Sequence, residues 1–369
     1  MSDPLPPGSS PWLVAEQFKS AGTIVDVQEF GQGNINSTFL VTLDTVTDQR
    51  FILQRINTQV FQQPQLVMRN IRTYSEHVCQ RLQTDGCQRR WEVPQVLLTS
   101  DRQDHWVSPN GDFWRAMSFV ETAHALQEIT TPDQAEEVGY ALGMFHHLIS
   151  DLPAEQLADT LEGFHITPQY LQQFEQVQDT RVELTPEVEY CLQFVCDRKQ
   201  DTNILETAKA EGKLRLRLMH GDPKINNILM DTDTQQAVSV IDLDTVKPGL
   251  IHYDIGDCLR SGCNPLGEET EQWEMVHFDL KMCQRILQGY LAVAQSFLTE
   301  DDYDYLYDAI RLIAFELGLR FFTDYLAGNV YFKVNHPDHN LNRALVQFKL
   351  TESIETQSEA IQALIQSLR

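Results

Sequence analysis

The segment His220-Gly221-Asp222-Pro223-Lys224-Ile225-Asn226-Asn227, followed by Ile241-Asp242, constrains this chain more than any other. It sets an acid, a lysine two residues on, an amide five on and a second acid twenty on. Those groups can act together only if the chain between them folds back on itself. Ile228-Leu229-Met230 is an apolar run, Asp231-Thr232-Asp233-Thr234 is turn chemistry, and Ala237 to Ile241 is a second run. An antiparallel hairpin follows, with Ile228 expected opposite Ile241. Asn227 and Asp242 then meet at its open end, beside the loop carrying Asp222. Upstream, Leu214, Leu216 and Leu218 alternate with Arg215 and Arg217, which predicts a strand with one buried face.

Brought together, these residues are the polar kit for moving a phosphoryl group to a hydroxyl. Asp222 orients and deprotonates the acceptor, Lys224 meets the γ-phosphate, and Asn227 and Asp242 hold Mg²⁺. The D-x-K-x-x-N spacing is that of a kinase catalytic loop. His220 reads as a side chain that fixes the loop, not as a base. Asp244 is either a further metal or substrate ligand or a loop hydrogen-bonding residue. Asp254 and Asp257 are expected to cap a helix, and His146 and His147 to serve packing and capping.

Gly31-Gln32-Gly33-Asn34-Ile35-Asn36 lies between two predicted strands. Alone it is a plain turn; paired with Asp222 it reads as a lid whose backbone amides reach the phosphates of ATP. Gly31, Gly33, Asn34 and Asn36 are its candidate contacts. The next strand, Phe51-Ile52-Leu53-Gln54-Arg55, places Gln54 where a kinase carries lysine, with Arg55 on the opposite face unless a bulge turns it. Gln54 and Arg55 are therefore the candidate nucleotide contacts there. Glu76 is a possible partner on the following helix, or a solvated carboxylate.

Short strands dominate to about Phe119, with a helix-like stretch at 64–84 among them, and helical periodicity follows at 132–149, 168–178, 187–200, 271–297, 301–327 and 340–368. The expected fold class is α+β in two lobes: a β-rich lobe over 1–118 with the lid, and a helical lobe over 119–369 with the catalytic loop, metal site and acceptor site. The net charge of −25 argues against nucleic acid or an anionic membrane as partner. It also makes any cation near the proposed site informative. The seven cysteines form no C-x-x-C pair and read as reduced thiols. No run is long and apolar enough to span a membrane, and no signal peptide is recognised, so a cytoplasmic protein is expected. A monomer is expected, with a dimer left open.

The assembled motifs resemble the aminoglycoside/choline phosphotransferase superfamily, with its H-G-D-x-x-x-x-N and I-D signatures. The longer matches are similar to its N-acetylhexosamine 1-kinase branch. They comprise Gly31 to Asn36, Phe51 to Thr58, Trp114 to Met117, Gly163-Phe164-His165, Val240 to Val246, Pro248-Gly249, Asp254 to Asp257 and Glu316 to Lys333. The resemblance implies a bilobal protein-kinase-like fold, ATP, Mg²⁺, and transfer to the anomeric hydroxyl of N-acetylglucosamine or N-acetylgalactosamine. It also favours Arg320 and Tyr331, with Asp324, as sugar contacts beside Asp222. Arg260 to Asn264 is expected to face the acceptor. The alternatives are a kinase for another sugar, a choline-like amino alcohol or an aminoglycoside, or a non-catalytic nucleotide-binding protein.

Overall fold

Alternation writes the first sheet. The computed structural model describes residues 10–18, 22–31, 35–45, 49–86, 89–178 and 183–369. A short helix, α1 (Pro11–Ala15), precedes strands β1 (Thr23–Glu29), β2 (Ser37–Asp44) and β3 (Arg50–Ile56) and helix α2 (Pro64–Asp85). Strands β4 (Val96–Leu97), β5 (Trp106–Val107) and β6 (Phe113–Ser118) complete an antiparallel sheet of order β1-β2-β3-β6-β4, with β5 also on β6. On one face, Phe39, Val41, Phe51, Leu53, Trp114 and Ala116 pack with Val14, Ala15 and Phe18 near α1. Period-two geometry sends Thr38, Ile52, Gln54, Arg115 and Met117 to the other face, where they line a cleft.

The chain then forms β7 (Ala123–Ala125) and helices α3 (Pro132–Leu148), α4 (Thr167–Val177), α5 (Pro186–Arg198) and α6 (Ile204–Ala210). Strands β8 (Arg217–Met219), β9 (Ile228–Asp231), β10 (Ala237–Val240) and β11 (Lys247–Gly249) make two small sheets, β10-β9-β7 and β11-β8. Helices α7 (Ile251–Gly262), α8 (Leu280–Ala294), α9 (Glu300–Asp304), α10 (Leu306–Leu326), α11 (His339–Thr356) and α12 (Ser358–Leu368) finish the helical lobe. The architecture is α+β, a small antiparallel sheet beside a mainly helical lobe. No helix among the described residues is long and apolar enough to cross a membrane.

Several expectations need correction. In the hairpin Val240, not Ile228's expected partner Ile241, stands opposite Ile228. Ile241 instead donates its N–H to Asn227 O at 2.8 Å, so the pairing runs one residue further and ends at Asp242. Leu216 is exposed and the strand starts only at Arg217, because the preceding residues leave α6 as a loop. The expected helix 271–297 begins at Leu280, and the last two long helices break at Tyr305 and Gln357. Helix α7 carries four buried polar or charged side chains, His252, Asp254, Asp257 and Arg260.

Helices α3 and α8 cross at glycines. A Cβ at Gly139 would lie 1.9 Å from the carbonyl oxygen of Ile286, and one at Gly289 would lie 1.9 Å from that of Glu136. Backbone cannot yield as a side chain can, so the helices would have to part. Gly139→Ala is expected to lower the unfolding free energy by roughly 2–3 kcal/mol despite alanine's better helix propensity. Urea titration checks this; an unchanged or raised midpoint would contradict the packing account.

Candidate active site

Chain reversal before Asp222 depends on Gly221. It adopts φ +86°, and a Cβ there would stand 2.9 Å from Thr245 O. The loop is then held from three sides. The buried Asp254 carboxylate on α7 accepts the backbone N–H groups of His220 (2.6 Å) and Gly221 (2.8 Å) and contacts His146 Nε2 (2.8 Å). Burial would raise this carboxyl, but the His146 and loop interactions outweigh it and hold it below the ordinary range. His220 Nδ1 accepts from Asp222 N at 3.2 Å and its Nε2 donates to Ile241 O at 2.9 Å. That pair of partners requires the neutral Nε2–H tautomer, in keeping with a burial-lowered pKa. On the third side His165 bridges Gly221 O and Glu316 Oε1, both at 2.8 Å, while Thr167 donates to Glu316 Oε2 at 2.6 Å. Burial works against a charge on His165, but Glu316 and the Gly221 carbonyl win and raise its pKa.

The loop faces a cleft of about 1570 Å³ between the sheet and the helical lobe. Asp222, Lys224, Asn227, Asp242 and Asp244 line one side; Gly31, Asn36, Gln54 and Arg115 line the other. Lys224 Nζ lies 2.9 Å from Asp222 Oδ2, and this charge raises the lysine's pKa. Asn227 Nδ2 donates to Asp222 O at 2.7 Å, which leaves its amide oxygen available. Asp242 is in the left-handed region at φ +63°. It reaches solvent in the cleft yet is enclosed by protein; desolvation, then Asp244 and Asp222, push its carboxyl up to about 6. An apolar end of the cleft holds Met117 and the edge-to-face pair Phe30 and Phe119, with centroids 6.0 Å apart.

Other expected residues are placed differently. Gly33 and Asn34 lie outside the described residues. Arg55 is not on the cleft; its guanidinium reaches Ser37 at 3.3 Å on the other side of β3. Glu76 is a surface carboxylate beside Arg72. Asp324 is occupied by the backbone amides of Val330, Tyr331 and Phe332 and by Asn340, so it shapes the turn after α10. Asp254 is a loop anchor and not a helix cap. Arg320 stands among the rings of Phe164, Tyr170 and Phe332, and has no hydrogen bond or ion pair among the described residues. Asp222 and Tyr331 are both close enough to act on its charge. Arg260, Ser261, Gly262 and Asn264 do line the cleft, as the last turn of α7 and its exit.

Residues 26–274 match the phosphotransferase enzyme family. The chain belongs to this family. This protein is therefore a phosphotransferase. Solved structures with the same kinase-like fold include a microcompartment-associated aminopropanol kinase, at 16% identity and TM-score 0.61, covering 95% of this chain and 97% of that one. An aminoglycoside phosphotransferase from Alicyclobacillus acidocaldarius matches at 18% and 0.60, covering 100% and 97%. Choline kinase from Cryptosporidium parvum matches at 13% and 0.58, covering 93% of each chain.

Sequence reasoning missed Arg115, His165 and Glu316 as parts of the phosphotransferase site. Their motifs stood out by resemblance, but only packing brings His165 and Glu316 to the loop and strand pairing brings Arg115 to the facing cleft wall. Replacing Asp254 with Asn turns one acceptor oxygen into a donor facing donors. Asp254→Asn is expected to cost roughly 3 kcal/mol of stability, read by urea unfolding. His165 behaves oppositely to a depressed carboxylate. Its contribution is complete below the ordinary histidine value of 6.5 and is lost as pH rises through the raised folded value. The stability gap between the protein and His165→Gln should therefore narrow at alkaline pH, as unfolding curves across pH would register.

Proposed function

We propose that the protein is an ATP- and Mg²⁺-dependent kinase that phosphorylates the anomeric hydroxyl of an N-acetylhexosamine. The observation that carries the reaction is the convergence of Asp222, Asn227 and Asp242 on one cleft under a conformationally fixed loop. In this reading Asp222 accepts the proton of the acceptor hydroxyl, and Lys224 leaves its pairing with Asp222 to meet the γ-phosphate. The free Asn227 amide oxygen and the Asp242 carboxylate are hard oxygen donors that fit Mg²⁺, which takes few protein ligands and leaves room for phosphates. Bound Mg²⁺ would neutralise charge developing on the phosphates. Phe30, Met117 and Phe119 offer apolar surface for the adenine, and Gly31 and Asn36 stand over the phosphate region.

Acceptor choice rests on Arg320 and Tyr331. A guanidinium with no acceptor among the described residues, whose charge Asp222 reaches, is a ready donor to sugar hydroxyl or acetamido oxygens, although neither Arg320 nor Tyr331 lines the cleft itself. A second reading has its own observation: Glu128 and Glu271 line the cleft, beside Glu268 and Glu269, which are paired with Arg260 and with Arg343 and His339, and carboxylates there suit an aminated acceptor. Turnover against N-acetylglucosamine, N-acetylgalactosamine, free hexoses, choline, aminopropanol and aminoglycosides separates the two. Activity confined to the amino compounds would overturn the hexosamine assignment. Asp222→Asn is expected to lower kcat by about 10³-fold with Mg·ATP affinity nearly unchanged. Asp242→Ala should weaken Mg·ATP binding in calorimetry as well as turnover; unchanged affinity would remove Asp242 from the metal site.

A further inference from the structure

The strand position where a kinase fold needs a cation holds Gln54, which is neutral. Its neighbour across the ladder is Arg115, since β3 and β6 pair with Gln54 directly opposite Arg115. Directly opposed residues in a sheet share a face, and here that face is the cleft wall. Gln54 Oε1 accepts from Arg115 Nε at 3.0 Å and from Nη2 at 2.7 Å, while Gln54 Nε2 donates to Thr38 at 3.0 Å. The glutamine thus spends its carbonyl aiming the arginine. It is not free to bind phosphate through that oxygen, and it carries no charge to offer.

Arg115 is almost wholly buried, with 3% of its side chain accessible, so its charge is little screened. Its Nη1 contacts Asp244 Oδ1 as an ion pair, but neither atom has a well-formed hydrogen bond. Asp244 Oδ2 is taken at 2.6 Å by Nδ2 of Asn36, the residue before β2. A fork with five N–H donors has spent only part of them, inside a cleft that Asp222 and Asp242 also line. One anionic group, the Asp244 carboxylate, thus lies between Arg115 and Asn36. A phosphate oxygen has the same charge and acceptor chemistry.

We propose that Arg115 is the nucleotide's phosphate-binding cation, supplied from β6 instead of β3, with Gln54 as its positioning residue. Asp244 is then the resident counter-ion that shares Arg115 and Asn36 with the incoming phosphate. The proposal rests on the kinase reading and deepens it. It also accounts for a site that holds both nucleotide phosphates and three carboxylates in a chain of net charge −25.

Calorimetric titration with Mg·ADP and, separately, with adenosine tests it. Arg115→Lys keeps a charge for Asp244 but loses the fork, and Arg115→Gln/Asp244→Asn removes both charges together. Melting curves check that each variant folds. Mg·ADP affinity is expected to fall about thirtyfold in the double variant, and less in Arg115→Lys, with adenosine affinity unchanged. Unchanged Mg·ADP affinity in Arg115→Lys and the double variant, or a parallel loss of adenosine, overturns the proposal alone. Wild-type protein that binds no Mg·ADP overturns the kinase reading with it. Should the double variant fail to fold, Arg115→Lys decides by the same criteria.

Discussion

A single buried carboxylate sets the geometry on which the rest of the site depends. Asp254 is fully enclosed, and a charge in that position must be met by donors. Two of them are consecutive backbone amides, His220 and Gly221, immediately before the residue that faces the cleft. Backbone amides have no rotamers, so the arrangement fixes the path of the chain and not merely a side chain. His165, with Glu316 behind it, fixes the next peptide, between Gly221 and Asp222, through Gly221 O. His220 ties the loop to the end of β10 through Ile241 O. Asp222 therefore emerges from a loop clamped on helix α7, on the segment before α4, and on the hairpin that carries Asp242.

This clamping explains why a modest polar set can be arranged without a large rigid cage. Asn227 is positioned by its own donation to Asp222 O, and Asp242 by the hydrogen bond from Ile241 to Asn227. The strained backbone of Asp242 is tolerated because both neighbours are secured, Ile241 by the hairpin and Leu243 by burial. Across the cleft the sheet contributes through its alternation. One face supplies the apolar core near α1, and the other supplies Gln54 and Arg115.

Much of this was legible in the sequence. Asp222, Lys224, Asn227 and Asp242 announce themselves by spacing, since local chain geometry alone brings them close. The two-lobe α+β division follows from the change in hydrophobic period near Phe119. What was not legible depends on contacts between distant segments. Arg115 is 61 positions from Gln54, and only the β3–β6 register aligns them. Asp254 looks like a helix cap because nothing local tells that the backbone it serves lies 34 residues earlier. Asp324 is taken by the turn after α10, whereas Arg55 sits where strand alternation alone puts it, since β3 pairs without a bulge there. The one-residue error in the hairpin arose because Ile241 is apolar like a strand residue, yet it serves as the last link before Asp242.

The reaction proposed for this clamped loop is phosphate transfer from ATP to a small-molecule hydroxyl. ³¹P NMR of protein incubated with Mg·ATP and N-acetylhexosamine tests it most directly. The account predicts loss of the γ-phosphate signal and growth of a phosphomonoester coupled to the anomeric proton, with neither change for Asp222→Asn. ATP that remains intact with every hydroxyl acceptor offered, or an ester formed equally well by Asp222→Asn, would contradict it.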